Sequence, residues 1–392
     1  MKCIDELELN NKKVFIRADL DVPLNADQTV ANDTRVKALL PTLKYAIEHG
    51  AKVILGSHLG RPKGEKNPKY SLAPVAEHLK KLISAEVILA QDCVGAEVQA
   101  QIQALKPKQI LVLENLRFYN GEEKNDPEFA KQLAALCDVY INDAFATSHR
   151  AHASTAGMAA LVAEKASGFN LKKELEYFDK AMKTPQRPLA TIFGGAKVST
   201  KMQAIKNVGQ TADVIVIGGA MANTFFVAAG IKVGKSLFEP EEVENAKQIA
   251  QTLKARGCKL ILPVDVVVAE KFESGVPTKV VDVQNIAENE MALDIGTKTV
   301  ELIAQALKEA NTIVWNGPVG AFETKEFSAG TYAVVDLLAE SKALTVVGGG
   351  DTDRALHERH AMDKMGYVST AGGAFLELLE GKILPAVKAL NE

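Results

Sequence analysis

Short runs of β-branched and aliphatic residues alternate with longer stretches of helical apolar spacing, and this alternation limits the possible folds more than any other feature of the chain. "KVFIRADL" leads into "TRVKALLPTLKYAIEHG", where Gly50 reads as a stop. "AKVILGSH", the helix-like "LAPVAEHLKKLI", "QILVLENLRF", "PEFAKQLAALC" and "DVYINDAF" follow in turn. The pattern predicts an α/β fold in which parallel sheets are flanked by helices. In such sheets binding residues gather at the carboxyl ends of the strands.

The alternation pauses near the middle. "FNLKKELEYFDKAM" places Leu171, Leu175, Phe178 and Met182 on one helix face. "KTPQRP", with Pro185 and Pro188, then ends the helix. A chain of 392 residues is long for one core, so this segment reads as a helix joining two domains; an ordinary surface helix has the same periodicity. The expected partition is 1–168, a connecting helix over 169–184, and 185–377. Strand-like runs resume at "LATIFGG", "ADVIVIGG", "KLILPVDVVVA", "NTIVWNGP" and "ALTVVGGG".

Hydrophobic residues at 47% and charged residues at 24% are ordinary for a folded soluble protein. The formal net charge of −3 gives no electrostatic case for nucleic acid or an acidic membrane. No apolar run spans a bilayer, and "MKCIDELELNNKK" lacks the apolar core of a secretory signal. Cys3, Cys93, Cys137 and Cys258 form no C-x-x-C pair and read as free thiols of a reducing, cytoplasmic setting.

The two halves carry different chemistry at their strand ends. In the first half the runs finish in charge and imidazole: Arg17, Asp19 and Asp21, then His58 and Arg61, Glu114 and Arg117, and Asp143, His149 and Arg150. Arg35 opens the first helix-like segment. One such arginine is usually a surface residue. Several at the same topological position imply a basic site for a small anion, because a guanidinium grips phosphate or carboxylate with two parallel bonds.

In the second half the runs finish in glycine: Gly194 and Gly195 before Lys197 and Lys201, Gly218 and Gly219, Asn316 and Gly317 before Glu323, and Gly348 to Gly350 before Asp351 and Thr352. Glycine lets backbone N–H groups reach a phosphate, and a following helix adds its positive end. Together they suggest a polyphosphate nucleotide. Lys197 and Lys201 share a helix face if their segment is helical. Asp351 is a candidate magnesium ligand, since that ion takes few protein carboxylates beside phosphate oxygens. The absence of G-x-x-x-x-G-K-[ST] excludes a P-loop, and no G-x-G-x-x-G follows the first strand. His357 and His360 read as solvated helix residues.

"RADLDVPL", "SHLGRP", "LENLRF", "HRAH", "GGAKVSTK", "WNGPVGAFE" and "GGGDT", in this order and over nearly the whole chain, closely resemble the phosphoglycerate kinase family. The resemblance implies two Rossmann-like domains facing across a cleft, the first (1–168) for 3-phosphoglycerate or 1,3-bisphosphoglycerate and the second (185–377) for magnesium with ADP or ATP. It implies that residues 378–392 return to the first domain, that the protein is a cytoplasmic monomer, and that closure accompanies double occupancy. By position, Asp19, Leu20, Asp21, Arg35, His58, Leu59, Gly60, Arg61, Arg117 and Arg150 are implied to bind phosphoglycerate. Gly195, Lys201, Gly219, Asn316, Glu323, Gly349, Gly350, Asp351 and Thr352 are implied to bind the nucleotide, with Glu323 at the ribose and Asp351 on the metal. Arg35, Lys197, Lys201, Gly350 and Gly373, the last beside Gly372, are implied to meet the phosphoryl group in flight.

The chain departs from the family pattern in places. Asp21 stands where asparagine is usual. Ala146, Ala220 and Ala371 replace glycine, and Thr297 replaces proline. Asp21 bears on substrate affinity. The resemblance also accounts for the lack of a serine-histidine-acid set or paired acid-base carboxylates. The acceptor would be a carboxylate that is already ionised and needs no base. Two rival readings are a two-domain dehydrogenase, which would change absorbance with a nicotinamide cofactor, and a non-catalytic anion-binding protein, which leaves the lysine, glycine and aspartate set without a purpose.

Overall fold

A computed structural model describes residues 1–392. The chain divides into two compact units, Met1–Leu175 with Ile383–Glu392, and Glu176–Lys382. The first unit holds a six-stranded sheet of β1 (Lys13–Ala18), β2 (Lys52–Gly56), β3 (Val87–Leu89), β4 (Ile110–Val112), β5 (Val139–Asp143) and β6 (Glu164–Ser167). Its order is β3-β4-β2-β1-β5-β6 and every pairing is parallel. Helices such as Thr34–Glu48, Ala73–Lys80, Ala96–Ala104 and Pro127–Ala134 occupy the crossovers, as parallel neighbours require. Both faces of the central strands are covered. The neighbours Phe15 and Ile16 of β1, Ile54 and Leu55 of β2, and Tyr140 and Ile141 of β5, which point to opposite faces, are therefore all fully buried.

The second unit repeats this plan with β7 (Leu189–Phe193), β8 (Val214–Ile217), β9 (Lys259–Ile261), β13 (Thr312–Asn316), β14 (Leu344–Gly348) and β15 (Tyr367–Val368). The order is β15-β14-β13-β7-β8-β9, again all parallel. The fully buried Trp315 of β13 lies in its core with Ile192, Val347 and Leu338. A separate antiparallel sheet orders β11 (Lys279–Asp282), β10 (Asp265–Ala269) and β12 (Met291–Ile295). The single run expected in "KLILPVDVVVA" is thus two strands in two sheets. Pro263 lies between them and has no N–H for a ladder.

Buried aspartates at strand ends cap helices. Asp143 of β5 accepts the Leu171 N–H at 3.0 Å, Asp265 of β10 accepts those of Lys298 and Thr299, and Asp294 of β12 accepts that of Gly330 at 2.7 Å. These bonds fill orphan N–H groups at helix starts. Burial pushes the Asp143 and Asp294 carboxyls up to about 7, against the pull of those N–H groups.

The boundaries differ from expectation in two places. The mid-chain helix runs Phe169–Met182, and the division between units falls inside it, after Leu175. The return to the first unit begins at Ile383, not 378. Residues 378 and 379 belong to the helix Gly372–Leu379, whose Ala374, Phe375 and Leu379 are buried and whose Leu379 carbonyl accepts from Asn207 Nδ2. The returning helix Pro385–Asn391 buries Ala386, Ala389 and Leu390, and the Ala386 N–H donates to the Ser148 carbonyl at 3.1 Å.

A Cβ on Gly348, the last residue of β14, would lie 2.3 Å from the buried Phe375 ring, which also meets Phe178 edge-on. Gly348→Ala is therefore expected to destabilise the protein by about 1–3 kcal/mol through overpacking. An unchanged midpoint in urea unfolding would show that the ring relaxes freely.

Candidate active site

In the first unit the parallel register brings the ends of β1 and β2 side by side, with Ile16 opposite Leu55 and Arg17 opposite Gly56. The Ser57 hydroxyl joins them. It accepts the Leu20 N–H at 2.9 Å and donates to the Ala18 carbonyl at 2.8 Å. Gly60 holds the next turn at φ +63°, its N–H donating to Asp21 Oδ1 at 2.8 Å and its carbonyl accepting from Arg117 Nη1 at 2.9 Å. The buried Asn115 donates to the carbonyls of Leu59 and Tyr70. Arg35, at the start of the helix Thr34–Glu48, donates to the Asp21 carbonyl at 2.8 Å and pairs with Asp19 Oδ2 at 3.1 Å. Burial raises the Asp19 carboxyl, and the Arg35 cation pulls it back.

The arginines divide by burial. Arg61 is exposed and Arg150 half-exposed, with its Nε donating to His149 Nε2 at 3.2 Å. Arg117 is buried, its Nε 3.1 Å from Glu123 Oε1. Arg17 is sealed inside at 1% exposure. Its Nε donates to Ser154 Oγ at 2.7 Å, and its Nη2 lies 3.8 Å from Oε1 of the fully buried Glu122. Arg17 is thus part of the framework, as are Asp143 at its helix cap and Glu114, which accepts from Ser71 Oγ and the Leu72 N–H. Glu122 and Ser154 escaped the sequence reading because nothing local marks them. Their role depends on an arginine more than a hundred residues away.

Arg17 Nη2 also lies 3.3 Å from His58 Nδ1. A guanidinium only donates, so Nδ1 accepts and the proton sits on Nε2, which faces Asp21 Oδ2 at 3.6 Å. Burial, then the cations of Arg17, Arg117 and Arg35, holds this imidazole well below its usual range. His58 is neutral at physiological pH.

In the second unit four strand ends are tied into one platform. Lys201 Nζ donates to the carbonyls of Gly194, after β7, and of Asn316, ending β13, the latter at 2.9 Å. Asn316 Nδ2 donates to the Gly348 carbonyl of β14 at 2.8 Å. The Gly219 N–H, after β8, donates to the Val319 carbonyl at 2.7 Å. The Gly317 N–H donates to Thr352 Oγ1 at 2.9 Å. Burial lowers the Lys201 ammonium to about 8, although Asp351 nearby raises it.

Two helix starts converge beside this platform. Gly349 caps the helix Gly350–Glu358 at φ +120°, a backbone that L side chains rarely adopt. A Cβ on Gly372, the first residue of the helix Gly372–Leu379, would lie 3.2 Å from the Gly349 Cα. Gly350, Asp351 and Gly373 are exposed in these first turns. The N–H groups of two adjacent helix starts make the place favourable for anions. Asp351 contributes one exposed carboxylate, and no cluster of three metal-ligating side chains exists anywhere in the chain. That donor set fits magnesium held chiefly through a ligand's phosphate oxygens.

Several expectations change here. Lys197 and Lys201 do not share a helix face, because residues 198–201 form a turn and the helix starts at Met202. The Thr200 hydroxyl donates to the Lys197 carbonyl at 2.9 Å, a local bond that competes with helix formation. Lys197 is exposed, and Glu323 is exposed in the loop after β13. His357 is exposed in the last turn of the helix Gly350–Glu358, whereas His360, also exposed, lies beyond the helix in a turn at φ +51°. Ala220 is αR, Ala371 is extended and Thr297 opens a helix. No positive φ occurs at these positions or at Ala146, so the backbone accepts each replacement.

Comparison with known proteins agrees with this architecture. A family profile described as Phosphoglycerate kinase matches residues 4–382. The chain is 54% identical over 393 residues to "Phosphoglycerate kinase" of Geobacter metallireducens, covering 100% of this chain and 99% of the relative. It is 51% identical over 392 residues to that of Syntrophobacter fumaroxidans, at 100% and 99% coverage. Among solved structures, phosphoglycerate kinase from Coxiella burnetii superposes with a TM-score of 0.91 at 44% identity, covering 99% of this chain and 98% of that one. The enzyme from Pyrococcus horikoshii OT3 gives 0.82 at 33% identity, with 100% and 98% coverage. With the family profile spanning nearly its full length and relatives above 50% identity covering all of it, the chain belongs to the phosphoglycerate kinase family.

Proposed function

We propose that the chain catalyses the reversible transfer of a phosphoryl group from 1,3-bisphosphoglycerate to ADP, giving 3-phosphoglycerate and ATP. The observation that carries this reading is the pairing of two unlike anion sites in one family chain. One is built from arginines around a fixed imidazole, the other from glycine turns, two helix starts and lysine. We assign the phosphoglycerate to Asp19, Leu20, Asp21, Arg35, His58, Leu59, Gly60, Arg61, Arg117 and Arg150. We assign the nucleotide to Gly195, Lys201, Gly219, Asn316, Glu323, Gly349, Gly350, Asp351 and Thr352.

The residues divide the labour by chemistry. Arg61 and Arg150 supply unsaturated guanidinium groups for phosphate, while Arg117 holds the Gly60 turn through its carbonyl. Neutral His58 donates from Nε2 and adds no charge. Arg35 and Lys197 neutralise charge on the moving group, and the Gly350 and Gly373 N–H groups receive its oxygens. Magnesium, held by Asp351 with the nucleotide phosphates, would neutralise phosphate charge. A carboxylate acceptor is ionised without help, so catalysis reduces to alignment and charge stabilisation.

The direct test is a coupled assay of ATP formation from 1,3-bisphosphoglycerate and ADP. Activity is expected to depend on magnesium; full turnover in excess chelator would remove the role given to Asp351.

Lys201 generates a pH prediction. Its ammonium is half ionised near pH 8 in the free protein, and a bound polyphosphate favours the charged form. Binding above that pH therefore requires proton uptake, and affinity for ADP is expected to fall as pH rises through about 8. Titration calorimetry at pH 7 and pH 9 reads this directly. Lys201→Arg, which stays ionised, is expected to flatten the profile. A flat profile in the wild-type protein would show that Lys201 takes up no proton when the nucleotide binds.

Asp21 generates another. Its Oδ1 is engaged by the Gly60 N–H, and the side chain is 37% exposed. Asparagine keeps that acceptor, adds a donor and removes a negative charge beside an anionic ligand. Asp21→Asn is expected to lower KM for 3-phosphoglycerate a few-fold, worth about 0.5–1.5 kcal/mol, with kcat little changed. The gain is expected to shrink as salt rises. An unchanged or higher KM would mean that the Asp21 charge is not felt at the ligand.

A further inference from the structure

We propose that Glu239 is a positioning residue for Lys197, acting through Ser199. The inference rests on the reading of Lys197 as a group that meets the transferred phosphoryl. Lys197 lies in the turn between β7 and the helix Met202–Val208, and its side chain is exposed. Val198 is fully buried and pins one side of the turn, and the Lys201 N–H closes it on the Val198 carbonyl at 2.9 Å. Ser199 is exposed, so its two donors would bond water if nothing else reached them.

Glu239 reaches both. Its Oε2 accepts the Ser199 N–H at 2.9 Å and its Oε1 accepts the Ser199 hydroxyl at 2.5 Å. One carboxylate thereby holds one residue through backbone and side chain together, which fixes orientation as well as distance. Glu239 is itself anchored. Its N–H donates to Oγ1 of the buried Thr224 at 3.1 Å, in the helix Met221–Ala228 that follows Gly219. The start of that helix returns to the first glycine turn, where the Met221 N–H donates to the Gly195 carbonyl at 3.1 Å. Glu239 therefore ties the Lys197 turn to the platform built on the ends of β7 and β8.

The carboxylate is ionised in this role. Burial pushes it up, but the Ser199 hydroxyl and N–H and the Lys197 charge together hold it below its usual range. A bulk structural role and a positioning role make different demands. Glu239 is only half-buried at the edge of its unit, so losing it opens no cavity. What it restrains is the Cα from which the long lysine side chain sets out. A displacement of about 1 Å at a reacting group can cost up to about a hundredfold in rate.

The experiment is steady-state kinetics on the full chain for Glu239→Ala, Glu239→Gln, Lys197→Ala and the Glu239→Ala/Lys197→Ala pair, with thermal unfolding of each. Glu239→Ala is expected to lower kcat by about tenfold or more, leaving both KM values within about twofold and the unfolding midpoint near wild type. Glu239→Gln, which keeps one acceptor of the same shape, is expected to fall between. In the Lys197→Ala background the Glu239 change is expected to cost nothing further, the signature of two residues acting as one unit. A wild-type kcat in Glu239→Ala, or the same loss in both backgrounds, overturns the proposal. Lys197→Ala with unchanged kcat instead removes the reading of Lys197 on which it rests.

Discussion

Parallel hydrogen-bond register is the constraint from which the rest follows. In the first unit Ile16 pairs with both Leu55 and Ile141, so three strands end at one level. In the second, Trp315 pairs with both Ile192 and Val347. A parallel sheet delivers every carboxyl end to the same edge, and the chain must leave there into a crossover. Residues far apart in sequence, such as Asp21 and Gly60 or Lys201 and Asn316, thereby come within hydrogen-bond reach. No single strand end has to build a site alone.

The same edge forces polar groups into partial burial, and the two units solve that problem differently. The first unit uses charge against charge. Arg17 faces Glu122, Arg35 faces Asp19, and Arg117 faces Glu123. Such pairs hold geometry, since removing Glu122, Arg35 or Glu123 leaves the buried Arg17, Asp19 or Arg117 without its counter-charge. The second unit uses backbone. Lys201 meets carbonyls, Asn316 meets a carbonyl, and Gly317 meets a hydroxyl. Glycine is needed there because main chain packs directly on main chain: a Cβ on Gly194 would lie 2.0 Å from the Pro318 carbonyl oxygen.

The main strands and crossovers were legible in sequence because the strands, buried on both faces, are continuous apolar runs and the helices carry helical periodicity. The antiparallel sheet of β10, β11 and β12 was not legible, since β11 is largely exposed and shows no burial pattern. The two-residue β15 is too short to register. At the candidate site, residue types and strand-end positions were readable, whereas the role of each arginine was not. Arg17 and Arg61 look alike in sequence, yet one is sealed against Glu122 and Ser154 and the other is exposed. Burial of a charge is decided by tertiary partners, and those partners lie in short helical turns, Asn120–Glu123 and Ala153–Gly157, whose local sequence announces nothing.

The distribution of raised carboxyl pKa values bears on mechanism. Asp143, Asp294, Asp19 and Glu122 are all raised by burial, and perturbed carboxyls commonly mark acid-base sites. Here their contacts assign them elsewhere. Asp143 and Asp294 cap helices, Glu122 holds Ser154 beside Arg17, and Asp19 pairs with Arg35. The candidate-site imidazole, His58, is held neutral with its proton on Nε2 by the arginine behind it. A general base must change protonation during turnover, and a histidine whose charged form is so disfavoured is unsuited to it. The reaction of a carboxylate nucleophile makes no such demand, so a site whose histidine stays neutral is compatible with it.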